Sequence, residues 1–456
     1  MAQYVRVVGM IVAALLLVGA CDKNRVAHDP VTEACKVDDD QERSERSRPE
    51  SQASDGTPKR VILLVADGMG AAQLAGPSYT CGEPLSILEM SQMGWMTTHS
   101  HEFVTTDSAA SATAMATGKK THFEGVSVEP GTGKDQEGES ARHLETVLER
   151  AEAQDWKTGL VSTSRVVHAT PAAFGAHRAH RDSYEGIASD YLDSGVDVLL
   201  GGGPRFFTER GDGRDLLGEF EEKGYAVADS ADEIRKAGAS AERMVGLPHD
   251  PDFPPAGDPD RAMDLGAMTD QAIDVLDRNN DEGFFLMVEG SQVDWRGHDL
   301  DAEGVVREML DFDRAVRRAR AYAAERDDTL VVVASDHETG GMTVLGDTES
   351  DFLEGALGGD EAVDQMTDWQ DGSDADDPPP AVARMEMGDG EGADDFAPAR
   401  GDETEWAATF AHLPLASRIG CSGPGGFSGQ HTPSFVPVFA EGSGAEAIAA
   451  VRDNTE

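Results

Sequence analysis

Basic charge is what this sequence has least of for its size. Over 456 residues it carries 38 lysines and arginines against 86 aspartates and glutamates, a formal net charge of -48 and an isoelectric point near 4.4. A surface that is negative almost everywhere repels polyphosphate backbones, so nucleic-acid binding through a broad basic face is excluded. Cysteine is scarce as well. The four present are Cys21, Cys35, Cys81 and Cys421, and no two stand in the Cys-x-x-Cys spacing of a structural zinc site. No internal repeat of about 20 to 50 residues is evident, which removes solenoids and propellers. The first apolar run, Val7 to Ala20, is too short for a permanent membrane helix of about 20 residues.

What is present reads as a folded α/β protein. A hydrophobic fraction of 39% with 50 glycines fits a packed domain rich in tight turns, and 456 residues suffice to bury a site. The acidity then belongs to the surface and tails of a folded chain, a composition suited to high salt, where repulsion is screened within about 3 Å at 1 M. Residues 1–20 have the form of a signal peptide, and Val18-Gly19-Ala20-Cys21 resembles a lipobox, so the chain is expected to be exported. Lipidated Cys21 would tether it to a membrane, placing it in the periplasm or at the cell surface. Residues 21–57 read as a polar tether. Three cysteines then remain, and a bridge from Cys81 to Cys421 stays open.

Continuous apolar runs begin with Val61-Ile62-Leu63-Leu64-Val65 and recur at Gly159 to Val161, Val196 to Leu200, Phe284 to Val288, Thr329 to Ala334 and Phe435 to Phe439. Runs of this kind are strands buried on both faces. Helical stretches lie between them, at Ser108 to Thr117, Leu144 to Ala153, Met263 to Arg278 and Val305 to Glu325. Alternation of the two implies a three-layer α/β/α domain around a mostly parallel central sheet. It extends over residues 58–456, and the acid-, Gly- and Pro-rich text at about 346–405 is expected to be a surface insertion.

Ligands of open α/β sheets gather beyond the carboxyl ends of the strands. Here those ends are acidic or histidine-bearing: Asp67 after the first run, Glu289, Asp294 and His298 after the fifth residue of the Phe284 run, and Asp336-His337 after the Thr329 run. One aspartate after a strand is ordinarily a cap. Three such ends at one rim would repel or go unsatisfied without a divalent cation, and mixed Asp/His sets suit zinc. Ser108 opens a run of small helix-forming residues, the place for an N-cap. A helix N-terminus also offers free amides to phosphate, and a nearby cation can activate a hydroxyl.

Asp67-Gly68-Met69, Asp107-Ser108-Ala109-Ala110-Ser111-Ala112-Thr113, Glu289-Gly290-x-x-x-Asp294-x-x-x-His298 and Asp336-His337 resemble, in order, the signatures of the alkaline phosphatases. The resemblance runs from about Arg60 to Gly442 and implies hydrolysis of small phosphate monoesters through a phosphoserine on Ser108, with two Zn2+ and one Mg2+. It further implies that Asp294, His298 and a late histidine hold one zinc. Of His412 and His431, the second fits better, since it precedes the Phe435 strand in a His-Thr turn. Asp67, Ser108, Asp336 and His337 would surround the other zinc, and Asp67, Thr170 and Glu289 the magnesium. His168, counted with these metal-site residues, stands where the best-known bacterial pattern has aspartate, and Trp295 stands where it has lysine. Arg181, rather than Arg178, would grip phosphate. Thr170, Glu289 and Arg181 favour a monoesterase over the phosphodiesterases of the same superfamily, and the family often forms homodimers. His99, His101, His122 and His143 match no family role.

Overall fold

The computed structural model describes residues 57–82, 84–132, 141–344, 430–448 and 451–455. The signal peptide, Cys21, Cys35, nearly all of the tether, the acidic insertion, His412 and Cys421 lie outside the described residues.

The strands are β1 (Arg60–Ala66), β2 (Gln92–Thr97), β3 (Lys157–Arg165), β4 (Val198–Gly202), β5 (Ala226–Ala228), β6 (Met244–His249), β7 (Phe284–Gly290), β8 (Thr329–Ala334), β9 (Glu338–Thr339), β10 (His431–Thr432), β11 (Val436–Gly442) and β12 (Val451–Asp453). Ten of them form one sheet in the order β12-β2-β11-β8-β1-β7-β3-β4-β6-β5, while β9 and β10 form a separate ladder. Every pairing in the large sheet is parallel except those of β11 with β2 and β8. The apolar runs occupy its middle, where both faces are covered. All seven residues of β7 are buried.

Register carries the consequence for the site. Arg60 pairs with both Phe284 and Thr329, and Ala66 with Gly290, so β1, β7 and β8 end level with one another. The residues that follow therefore emerge at a common rim.

Six helices frame it: α1 (Ala71–Cys81), α2 (Ser108–Thr117), α3 (Ala169–Gly175), α4 (Leu265–Leu276), α5 (Gln292–His298) and α6 (Ala302–Ala324). Small residues let α2 and α3 sit close on one face, where Ala109, Ala112, Ala172 and Phe174 share a buried cluster with Leu160, Phe285 and Met287. On the other face α4 and α6 pack against the sheet and each other. Glycine at 290 makes room there, since a Cβ would stand 2.8 Å from the Phe312 ring. The expected three layers are present. The helix expected from Leu144 begins instead at Val147, because Thr146 caps it: Thr146 Oγ1 accepts from Glu149 N at 3.1 Å, and the Glu149 carboxylate accepts from Thr146 N at 2.8 Å. Cys81, at the end of α1, is disulfide-bonded. Among the described residues, no helix is long and apolar enough to cross a membrane.

Candidate active site

The rim is assembled from backbone geometry first. Asp67 directly follows β1, Glu289 is the penultimate residue of β7, and Asp336-His337 follow β8. Asp294 and His298 stand four residues apart on α5, so they share one face of that helix. His431 comes from β10, which pairs with β9 so that His431 stands opposite Thr339.

These side chains converge. Three groups of donor atoms lie within 4.8 Å of one another: Asp294, His337 and His431; Asp67, Asp336 and His337; and Asp67, His168 and Glu289. His298 joins the first, its Nε2 standing 3.1 Å from His431 Nε2 and 3.4 Å from Asp294 Oδ1. The His431 ring stacks on His337 with centroids 3.6 Å apart. His431 Nδ1 donates to Thr106 O at 2.8 Å, which assigns the tautomer and leaves Nε2 as a donor of electrons toward the cluster. The sequence reading put His337 in one set; here it borders two.

Several of these atoms are buried without a well-formed hydrogen bond, although His337 Nε2 stands 3.5 Å from Asp67 Oδ1 and 3.3 Å from Asp336 Oδ2. Both Asp67 oxygens, both Glu289 oxygens, Asp336 Oδ2, Thr170 Oγ1 and His168 Nδ1 have no hydrogen-bond partner. Such orphans each cost about 1–3 kcal/mol, and native proteins avoid them unless something else satisfies the atoms. Burial, followed by the Asp336 and Asp294 charges, pushes Asp67 well above the usual carboxylate range. Burial does the same to Glu289, raised to about 7, and to Asp336, raised to about 6 with help from Asp294. Asp294 goes the other way: burial opposes its charge, but the hydrogen bond and charge of His431, with His337 and His298, hold it below its ordinary value. Burial and the neighbouring His431 charge hold His337 well below the ordinary histidine value. Carboxylates this crowded, interleaved with imidazoles, fit divalent cations. Sets that mix carboxylate and imidazole suit zinc, and the set of Asp67, His168 and Glu289, with Thr170 beside Glu289, also offers oxygens for a harder ion.

Ser108 lies at this centre. Its expected role as helix cap is taken by Asp107, whose carboxylate accepts from Ala109 N and Ala110 N at 3.2 Å each. The serine hydroxyl is thereby released from capping, and stands 3.3 Å from His337 Nε2.

Of the two candidate arginines, Arg178 faces away, bonded to Gly186 O at 2.8 Å and paired with Asp190. Arg181 faces the centre. Its Nη1 donates to Asp107 Oδ2 at 2.9 Å and its Nη2 stands 3.2 Å from His168 Nε2. Burial followed by the Arg181 charge drives His168 well below its ordinary value, so it is neutral here. Trp295 meets the His168 ring edge-on at 5.9 Å. Glu124 fixes the loop around Arg181: its backbone N donates to Asp107 Oδ1 at 3.0 Å and its O accepts from Arg181 N at 2.9 Å. These bonds hold Glu124 at φ 67, a conformation that non-glycine residues rarely adopt.

Sequence reasoning gave no role to Asp107 or Thr339. Thr339 Oγ1 donates to Asp294 Oδ1 at 2.5 Å and stands 3.1 Å from His337 Nδ1, aligning one carboxylate and one imidazole at once. Only its place two residues beyond His337 hints at this. His122 is buried with Nε2 3.1 Å from Ala179 O, and His99 pairs with Asp453; neither joins the donor groups.

Comparison with known proteins agrees. The profile of the alkaline phosphatase family matches residues 58–456. Alkaline phosphatase 3 of Bacillus subtilis (strain 168) is 36% identical over 434 residues, and alkaline phosphatase 4 of the same organism 33% identical over 416; each alignment covers 87% of both chains. The alkaline phosphatase of the Antarctic bacterium TAB5 superposes with a TM-score of 0.64 at 29% identity, covering 88% of this chain and 96% of that one. Fold and rim together define a hydrolase of phosphate esters, with phosphate monoesters as its general substrates. More narrowly, the chain belongs to the alkaline phosphatase family.

Proposed function

We propose that this phosphatase cleaves monoesters through a phosphoserine on Ser108, at a centre that holds two Zn2+ and one Mg2+. Asp294, His298 and His431 would hold one zinc, Asp67, Asp336 and His337 with Ser108 the other, and Asp67, Thr170 and Glu289, beside His168, the magnesium. The observation that carries this reading is the set of partnerless buried carboxylate oxygens beside a hydroxyl freed from capping. A variant of the TAB5 enzyme in which a histidine is replaced by aspartate has Mg bound in its M3 site, so a relative of this fold can take that ion. Bound cations would neutralise phosphoryl charge and ease deprotonation of hydroxyl and water.

The chain's own groups supply the rest. Ser108 Oγ forms a bond to phosphorus as the ester P–O bond breaks and the alcohol departs with a proton. Water then cleaves the phosphoserine, releasing phosphate and restoring the hydroxyl. The Arg181 guanidinium receives phosphoryl oxygens, as a fork that binds two at once. Asp107 orients that fork while capping the helix that presents the serine.

Substituting Ser108 by Ala and quenching with labelled phosphate in acid tests the reading. Wild type traps a labelled phosphoenzyme and the variant traps none; an unaltered turnover in the variant refutes the assignment. Rates on 4-nitrophenyl phosphate and its bis-ester separate a monoesterase from a diesterase. We further propose export and lipidation at Cys21, to a periplasmic or cell-surface location. The disulfide at Cys81 supports an oxidising compartment. Mass spectrometry of the mature protein tests the lipid, and light scattering tests the homodimer.

A further inference from the structure

We infer that Asn454 is a positioning residue for the reaction, setting the spacing between the nucleophile helix α2 and the Asp336-His337 turn. The inference rests on Ser108 as the nucleophile.

β12 adds to the sheet beside β2, and the residue after it continues the ladder, with Asn454 N donating to Thr97 O at 3.1 Å. That pairing drives the Asn454 side chain under α2, where the residue is only 4% exposed and water cannot satisfy its amide. All its polar atoms are used. Nδ2 donates to Ser111 Oγ at 2.8 Å and to Ser111 O at 3.3 Å, while Oδ1 accepts from Lys120 Nζ. The amide orientation follows from chemistry, since an ammonium only donates. Lys120 is fixed in turn by Asp453 at 3.1 Å.

Ser111 passes the link onward. Its hydroxyl has a single proton, which goes to Asp336 O at 2.6 Å, so it must receive from Asn454 as an acceptor. Ser111 lies one turn beyond Ser108 on the same side of α2, and Asp336 directly precedes His337, whose Nε2 is 3.3 Å from Ser108 Oγ. Asn454, Ser111 and the Asp336 carbonyl thus form a buried brace parallel to the contact between nucleophile and His337. Other polar contacts of α2 lie elsewhere: Thr113 Oγ1 bonds Gly125 O and Ser127 N on the side toward the loop after the helix. Asn454 also differs from the Asp107 cap, which sets the start of the helix rather than its distance from β8.

A misplacement of about 1 Å at the reacting centre costs on the order of 100-fold in rate, so a partial slip of α2 is expected to cost about tenfold. Asn454→Ala should lower kcat on 4-nitrophenyl phosphate about tenfold with KM changed less than about twofold, because Arg181 is also held through Glu124 O and His168, which do not belong to α2. Ser111→Ala should match it, and the double variant should be no slower than either single, the mark of one shared interaction. Asn454→Asp keeps an acceptor for Lys120 and hence the local fold, yet loses the donor; it should resemble Asn454→Ala. In metal-free protein, amides of α2 should exchange hydrogen faster in both Asn454 variants while those of β1 stay unchanged. Wild-type kcat with only a lowered melting temperature, additive losses in the double variant, or unchanged exchange in α2 would each overturn the inference. The exchange readout is independent of Ser108 chemistry, so failure of the phosphoserine reading would show separately, in Ser108→Ala.

Discussion

Replacing Arg181 tests the electrostatic part of the site most directly. Its guanidinium is nearly enclosed, and its two arms reach Asp107 at 2.9 Å and His168 at 3.2 Å, so the fork is already aimed before phosphate arrives. Each charge-assisted bond to a phosphoryl oxygen contributes about 1.5–3 kcal/mol, and two would give about 3–6 kcal/mol. Part of that is offset, because Arg181 gives up some of its contact with Asp107 and His168 when it turns to substrate. A net loss near 2.7 kcal/mol, or about 100-fold in kcat/KM, is therefore expected for Arg181→Ala. Arg181→Lys retains a point charge without the fork and should lose about tenfold. Arg178→Ala is the control: its guanidinium is held by Asp190 and Gly186 O, so activity should stay within about twofold while stability falls. Steady-state kinetics on 4-nitrophenyl phosphate and inhibition by inorganic phosphate read all three. A loss below threefold in Arg181→Ala, or an equal loss in Arg178→Ala, would refute the assignment of the phosphate grip.

Removal of divalent ions by a chelator should abolish turnover and lower the melting temperature, with both restored by zinc and magnesium; at 1,000 times Kd a bound ion contributes about 4 kcal/mol, so an unchanged melting curve would contradict the reading of the orphaned carboxylates. With a formal charge of -48, the protein should melt higher as KCl rises from 0.1 to about 1 M, where the Debye length shrinks from about 10 to 3 Å; equal melting points would remove the high-salt interpretation. Glu152, raised by burial to about 7 and bonded by Thr158 Oγ1, resists ionisation in the folded state, so the stability it contributes is complete below about pH 4.5 and is lost as pH rises through about 7. Glu152→Gln should therefore be more stable than wild type above pH 7 and equal to it at pH 4.5, by about 1 kcal/mol once solvent screening of this half-buried group is allowed for. Denaturant midpoints at the two pH values check the sign.

What could be read before folding follows from how far each signal reaches along the chain. β1 and β8 announce themselves because strands covered on both faces are apolar without interruption, and β8 occupies Thr329–Ala334 as expected. α2 spans Ser108–Thr117 as expected because its small residues have no competing period. β2, with Gln92 and Gly94 among its residues, carries no such run; it becomes a strand by pairing with β11 and β12, hundreds of residues away. β12 was hidden for the same reason, while β5 spans only Ala226–Ala228 and Gly246 and Pro248 interrupt β6. At the site, the ligand-type residues were legible because they directly follow readable strands. Asp107 and Thr339 were not, since their work consists of bonds to other side chains. The choice of Arg181 over Arg178 came from the family resemblance; its physical ground, where Asp190 and Asp107 stand, is encoded by no local pattern.

The small β9–β10 ladder, closed further by Gly340 N donating to Gln430 O at 3.0 Å, has a consequence for tolerance to change. It zips the chain shut on either side of residues 345–429, so His431 arrives opposite Thr339 whatever text lies between. Doubling the length of such a connection adds only about 0.6 kcal/mol of closure entropy. The bonds of the ladder therefore return His431 to the same partner, and a longer or shorter connection bears on the site chiefly through that small closure cost.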